Sequence, residues 1–477
     1  MKYIARFIIL AAMALTGLTA CSSESYPGVE YEPVLSDDLV NNESSNRLNG
    51  RVPINVLLGG NSFGMTQATR GTGPFVVPEG TDPDPFDIEH YGKNIFRILA
   101  FRDYSDDQGY GTPDFTQRSS NQDDSNCLVD GRDSHLGMQA QLDIDGDVKM
   151  HMKRENLRVD TTLYYKNNFT EDGYNDLTYN FFVYNIDDFK ADDSNTHRTS
   201  NSFSYDVVLD GCTDFMVGTA PKLTPEVLNE YYPDVVENLK KEERDYILNL
   251  GNYSRYAADH GIDPIVTVNH LLPRLRFVCY PADKSAKDVT IESITICCRY
   301  KGNLVVADAN PAKIGFSSFD DELSDLQLME RNPDGKATSP FVPLIPRNNI
   351  VNWEEGMDPQ DWQANKSGSA LIGNDILSAP ALDYKMTITY SQLMKDNPGA
   401  EELQKTSRVT ASFIISAPKT EKSMNMETGD YEFLPGGVYN INLGIYGMRP
   451  IAVGVGLEDW DDQGEVIDPE DLQETWE

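Results

Sequence analysis

The sequence predicts a mainly β protein made of two antiparallel β-sandwich domains, with a helical insertion in the first. Short runs in which apolar and polar residues alternate recur along most of the chain, the period of strands that bury one face. Turn-forming stretches separate these runs. With 35 Gly, 26 Pro, 24 Tyr and 19 Phe, the composition suits strands punctuated by turns better than helical bundles. Strands interrupted by one inserted helical segment argue for antiparallel sandwiches, not a parallel α/β sheet.

The N-terminus is read first. Lys2 and Arg6 form a basic region, Ile8 to Leu18 an apolar one, and Leu18-Thr19-Ala20-Cys21 ends it. This is the pattern of a secretory signal over residues 1–20, too short for a spanning helix, which needs roughly 20 apolar residues. Its ending resembles the lipobox of bacterial lipoproteins, so the mature chain is expected to start at a lipidated Cys21. Two or more acyl chains, at about 0.8 kcal/mol per buried CH₂, anchor a protein stably. Residues 21–50 are rich in Ser, Asn, Asp and Glu and read as a flexible tether.

In Arg51 to Leu58, Val52, Ile54, Val56 and Leu58 alternate onto one face. Pro53 cannot donate to a ladder, which places this strand at a sheet edge. Gly59 to Pro85 is Gly/Pro/Thr-rich and reads as irregular. Asp145-Gly146 marks a hairpin within 139–150. Strands follow at 177–186 and 203–209, the second with Phe203, Tyr205, Val207 and Leu209 alternating. Thr224-Pro225 opens the helix candidate 224–249, which Pro233 should break in two. Further strands are expected at 265–280, at 289–300 and, after a Lys301-Gly302-Asn303 link, at 304–306. These complete a first domain over 51–315. A second, over 316–477, has expected strands at 339–346, 383–390, 407–416, 438–446 and 450–457, then an acidic tail.

The formal charge of −36 excludes nucleic acid as a partner, since phosphate binding needs a basic surface. Beyond Cys21 there are five cysteines, an odd number. Cys279 shares a face with Leu275 and Phe277, and Cys298 with Ile294 and Ile296, so mostly free thiols are expected, with a Cys127–Cys212 bridge as an open alternative.

Enzyme and cofactor signals are weak. There is no G-x-S-x-G elbow, P-loop or H-E-x-x-H motif, and the six His never fall at His-x₃₋₅-His spacing. Asp143 to Asp147 looks like a calcium loop, but its Gly falls at the fourth position, and Arg154 stands where the bidentate Glu belongs. No catalytic residue, metal site or cofactor is expected. Trp353 and Trp362 bracket a polar loop. As exposed rings they could stack on sugars in a glycan- or ligand-binding surface lipoprotein; as buried rings they would pin the loop.

Several segments taken together resemble the fimbrillin family, the subunits of type V pili and related bacterial lipoproteins. They are the lipobox, Val52-Pro53-Ile54-Asn55-Val56 with Ala68-Thr69-Arg70-Gly71, Asp214-Phe215-Met216-Val217-Gly218, and Val268 to Phe277. Phe433 to Ile441, Val453-Gly454-Val455 and Asp459-Trp460 complete the ordered set. The helical segment 224–262 and the loop 110–135 depart from the family pattern. The resemblance implies two transthyretin-like sandwiches and a non-enzymatic fimbrial subunit, structural or accessory, that serves adhesion. It implies attachment to the outer membrane through the lipid, other fimbrial subunits as partners, and a host protein or glycan as adhesive target. It also implies cleavage after an arginine near the first strand and replacement of that strand by one from another subunit, by β-augmentation. Arg70 is the candidate cut, and Val52, Ile54, Val56 and Leu58 are the candidate exchangeable side chains. A cut at Arg47 would leave the strand in place, and uncleaved members of the family serve as anchors.

Overall fold

The strand Thr178–Ile186 sets the layering, because it is buried along almost its whole length. Tyr179, Phe181 and Val183 face one core, while Phe182 and Tyr184 face another. A strand with two apolar faces needs a cover on each side. The computed structural model describes residues 31–33, 52–58, 96–103, 115–116, 127–130, 135–142, 149–152, 161–165, 169–170, 173–174, 177–186, 189–330, 341–356, 370–395, 404–447 and 452–459.

Thr178–Ile186 is central to a nine-stranded sheet. Outward from it on one side lie Phe215–Thr219, Ile265–His270 and Leu57–Leu58; on the other lie Phe96–Arg102, Met138–Leu142 and Met150–Met152. Two short strands, Cys127–Val129 and Tyr253–Ser254, pair alongside this path. A four-stranded sheet of Thr196–Arg198, Ser202–Val208, Lys301–Asp308 and Gly315–Phe319 covers one face. Its inward residues Phe203, Tyr205 and Val207 are the alternating set expected from sequence. A buried hydrogen-bond chain ties the two layers. The Gly137 N–H donates to Tyr184 Oη at 2.9 Å, the two phenol oxygens lie 2.8 Å apart, and Tyr205 Oη donates to the His135 carbonyl at 2.8 Å. Since Tyr205 spends its proton on His135, Tyr184 donates to Tyr205.

The helical insertion caps the other face. Thr224 Oγ1 accepts from the Val227 N–H at 3.3 Å and starts Pro225–Tyr231. Pro233, which lacks an N–H, then starts Pro233–Asn238, so the break falls where expected. Lys241–Leu250 ends on Gly251 in the left-handed region (φ 66°), and Ser254 caps Arg255–Asp259. Leu228, Tyr232, Ile247, Ala257 and Ala258 face the shared core.

The C-terminal half places two sheets around a third core. One sheet orders Ala370–Leu377, Arg274–Pro281, Gly437–Ile445 and Ala452–Asp459; the other orders Leu323–Gln327, Val289–Arg299, Asp383–Lys395 and Gln404–Ser416. In Val289–Arg299 the register shifts between Ile291 and Ser293. This bulge lets Val289 and Ile291 share a core face with Ile294, Ile296 and Cys298 although the sequence alternation changes phase there.

Several expectations are corrected. The sheets are not wholly antiparallel: Arg274–Pro281 runs parallel to Gly437–Ile445, and Leu57–Leu58 parallel to Ile265–Val266. The boundary at 315/316 does not divide the sheets. Arg274–Pro281 and Val289–Arg299 pair with strands of the second half, while Lys301–Asp308 and Gly315–Phe319 return to the first. Lys301-Gly302-Asn303 is therefore strand, not turn. Gly302 is required because Phe316 and Phe319 ring atoms lie within 3.0 Å of where its Cβ would be. Residues 341–345 form no strand, only a bridge from Pro343 to Met329. Tyr31–Pro33, within the expected tether, pairs antiparallel with Thr161–Leu163. Cys127 and Cys212 are buried thiols, not a disulfide, and Cys279 and Cys298 are buried thiols in the second core. The Asp143–Asp147 stretch and the hairpin turn expected at Asp145-Gly146 lie outside the described residues, although Met138–Leu142 and Met150–Met152 do pair antiparallel around them.

Two substitutions test this layering. A Cβ on Gly218 would sit 2.2 Å from the Thr267 carbonyl oxygen, so Gly218→Ala must push two paired strands apart. It should lower unfolding stability by about 1–3 kcal/mol in denaturant titration. Tyr205→Phe should cost about 1–3 kcal/mol in the same measurement, because it leaves the buried Tyr184 hydroxyl without its acceptor.

Candidate functional site

Segment 52–58 occupies a slot whose two walls are the margins of the nine-stranded sheet. On one side the Leu57 N–H donates to the Pro264 carbonyl at 2.9 Å, and Leu57–Leu58 runs parallel to Ile265–Val266. On the other side the Met150 N–H donates to the Val56 carbonyl at 2.8 Å, and Leu57 bridges Lys149. Further along, the Ile54 N–H donates to the Leu163 carbonyl at 2.7 Å and the Tyr165 N–H to the Val52 carbonyl at 2.9 Å. The segment thus closes the sheet on itself.

This corrects the edge position read from Pro53. Pro53 stands opposite Tyr164 in an antiparallel bridge whose hydrogen bonds come from the flanking residues. That is a non-hydrogen-bonded position, where a strand residue needs no N–H toward its partner. An interior strand therefore accepts proline here without losing a bond.

Val52, Ile54, Val56 and Leu58 are all buried, between 0% and 4% exposed, in the core they share with Met150, Leu163, Val266 and the helical insertion. At about 1.5–3 kcal/mol per fully buried aliphatic side chain, the four stabilise the closed sheet by on the order of 10 kcal/mol before conformational entropy is set against it. The opposite face is covered as well. Pro53 is buried, and Asn55 is only 8% exposed, its side-chain amide donating to Asp263 Oδ2 at 3.1 Å. The Tyr232 hydroxyl donates to the Asp263 backbone carbonyl, tying the insertion to the same residue. Burial, reinforced by nearby Asp263, holds the Tyr165 phenol well above its ordinary pKa, and burial pushes Tyr253 up to about 12. These phenols stay neutral at physiological pH and serve as packing and hydrogen-bonding groups.

The slot holds the chain's own segment 52–58 by backbone hydrogen bonds and apolar packing. Among the described residues, no group of three or more His, Cys, Asp or Glu could hold a metal ion. The sequence located the four apolar side chains and missed their setting. Asn55 reads as a solvent-facing residue in the alternation, and its partner lies 208 positions away.

The other expected site residues are not brought to this slot. Cys21, Arg47, Arg70 and Trp362 lie outside the described residues. Trp353 is 6% exposed, so its ring is buried in the fold and not presented to solvent as a sugar platform requires, and its backbone N–H donates to the Ala286 carbonyl at 2.7 Å.

The slot makes a simple demand on stability. Ile54→Ala should cost about 2–5 kcal/mol in denaturant unfolding, whereas Val208→Ala, at a side chain 60% exposed, should stay within about 0.5 kcal/mol.

No family model matches the chain, and no curated protein matches it. Among solved structures, it is similar to a candidate cell adhesion protein from Bacteroides uniformis, with 10% identity, coverage of 86% of this chain and 98% of the other, and a TM-score of 0.37. Another candidate cell adhesion protein, from Parabacteroides distasonis, gives 10% identity, 86% and 97% coverage and a TM-score of 0.35. The tip fimbrial protein Mfa3 from Porphyromonas gingivalis, with a C-terminal truncation, gives 9% identity, 86% and 100% coverage and a TM-score of 0.26.

Proposed function

We propose that this chain is a non-enzymatic fimbrial subunit, structural or accessory, exported as a lipoprotein through Cys21 and assembled on the cell surface by strand exchange. The observation that carries the reading is the slot. One short segment near the N-terminus supplies the bonds that join the two margins of the sheet, and its four apolar side chains fill the core between them. Removing such a segment leaves backbone donors and acceptors on both walls and an apolar groove between them. An extended strand from another subunit satisfies both.

The sequence after the segment supports a route for its removal. Gly59 to Arg70 connects it to an arginine in a Gly/Thr-rich stretch, and a cut after Arg70 separates Cys21, its lipid and residues 52–58 from the rest of the fold. Left uncut, the same chain remains an outer-membrane anchor for other subunits. On this reading both halves are transthyretin-like sandwiches, the first carrying the helical insertion. Fimbrial partners and an adhesive target, a host protein or a glycan, complete the proposal.

N-terminal sequencing of surface-exposed protein checks the cleaved form. The expected mature end is Gly71, with polymer ladders on gels that disappear in Arg70→Ala. A lipidated Cys21 end on all of the protein in fibre preparations would remove the cleaved-subunit form.

A further inference from the structure

Apolar alternation alone cannot fix which strand, or which register of a strand, fills the slot. A shift of two residues returns every side chain to its own face, and Val52, Ile54, Val56 and Leu58 are similar enough to replace one another at modest cost. The opposite face is where neighbouring positions differ. It presents Pro53, Asn55 and Leu57 in succession, and of these only Asn55 has a side chain that can donate a hydrogen bond.

Asp263 lies where that donor arrives. Its carboxylate accepts from Asn55 Nδ2 at 3.1 Å, with Asn55 itself only 8% exposed. The aspartate is held from two directions. Its backbone carbonyl accepts from Tyr232 of the helical insertion, and the next carbonyl, of Pro264, accepts from the Leu57 N–H at 2.9 Å. A shift of two residues would set Pro53 or Leu57 against this carboxylate, and the part-buried hydrogen bond it accepts from Asn55 would be lost to a side chain that cannot donate.

We infer that Asp263 is the specificity determinant of the slot: it selects an extended strand with apolar residues at alternate positions and a carboxamide donor between them, and it rejects strands that offer a carboxylate or an aliphatic side chain at that place. The partner so defined is a strand of the pattern apolar–x–apolar–Asn–apolar–x–apolar. Tyr232 is a positioning residue that acts through Asp263. The inference rests on the strand-exchange reading wherever the strand comes from a second molecule; for the chain's own strand it stands alone.

The test has two arms. In the first, the full chain carries Asn55→Asp, Asp263→Asn or both, and thermal unfolding is followed. The single Asn55→Asp places two carboxylates together and should lower the midpoint, and adding Asp263→Asn, which reverses donor and acceptor, should recover most of the loss. Additive effects, with no recovery in the double variant, overturn the inference. In the second arm, a protease site inserted after Gly60 in the full chain is cut, and fluorescent peptides spanning residues 50–60 compete for the slot. The Asn55 peptide should enter about tenfold or more better than its Asn55→Asp counterpart, and the preference should reverse on Asp263→Asn protein. Entry of both peptides with equal affinity on both proteins overturns the inference while upholding strand exchange. If neither peptide enters although the first arm shows recovery, strand exchange is overturned, and Asp263 is established as the register key of the chain's own strand.

Discussion

The fold of the N-terminal half depends on closing one sheet. Six strands run from Ile265–His270 through Thr178–Ile186 round to Met150–Met152, and segment 52–58 bonds to both ends of that path. Nearly everything else in this half is arranged around that closure. The helical insertion roofs the core that the segment completes, and Asp263, at the end of the insertion, touches both the segment and Tyr232. The four-stranded sheet lies on the outer face of the same strands, tied by the Tyr184–Tyr205 hydrogen bond. An open sheet has two unpaired margins, and one short strand removes both of them here.

Closure by a segment close to the N-terminus gives the proposed role its physical basis. The closing strand leads into the rest of the fold through Gly59. A cut in the following stretch therefore releases it together with Tyr31–Pro33, and the described pairings lost are its own and the short one between Tyr31–Pro33 and Thr161–Leu163. The two halves are held together independently of it. The Leu377 N–H donates to the Gly211 carbonyl at 2.8 Å, and Leu377 and Ala379 join the core beneath the four-stranded sheet. Within the adjoining sheet of the C-terminal half, Asp375 pairs with Arg274 and Arg276, and removing one partner of that charge cluster would be strongly destabilising.

How legible the fold was from sequence depended on local physics. Ser202–Val208 and Arg274–Pro281 bury one face each, so alternation found them, and Thr224-Pro225 and Pro233 marked the helix start and break because capping and the missing N–H act within a few residues. The errors share a cause in long-range partners. Gly302 looked like a turn because the Phe rings that exclude a side chain belong to another strand. Pro53 looked like an edge residue because its non-hydrogen-bonded register opposite Tyr164 is set by tertiary pairing. The sheets do not divide at the expected boundary because the chain crosses between halves three times, at 271–273, near Tyr300 and at 320–322, with no change in composition. Of the candidate site, the four apolar side chains were visible and the Asn55–Asp263 pair was not.

Native-state hydrogen exchange of the seam amides tests the central claim most directly. Ile54 and Leu57 donate from the segment, and Tyr165 and Met150 donate to it. If 52–58 is a separable closing strand, these four amides are protected and open together as one unit, at a lower free energy than the amides of Phe182 and Val183 in the central strand. Four seam amides that exchange only with the global unfolding of the central strand, or that show no protection at all, would contradict it.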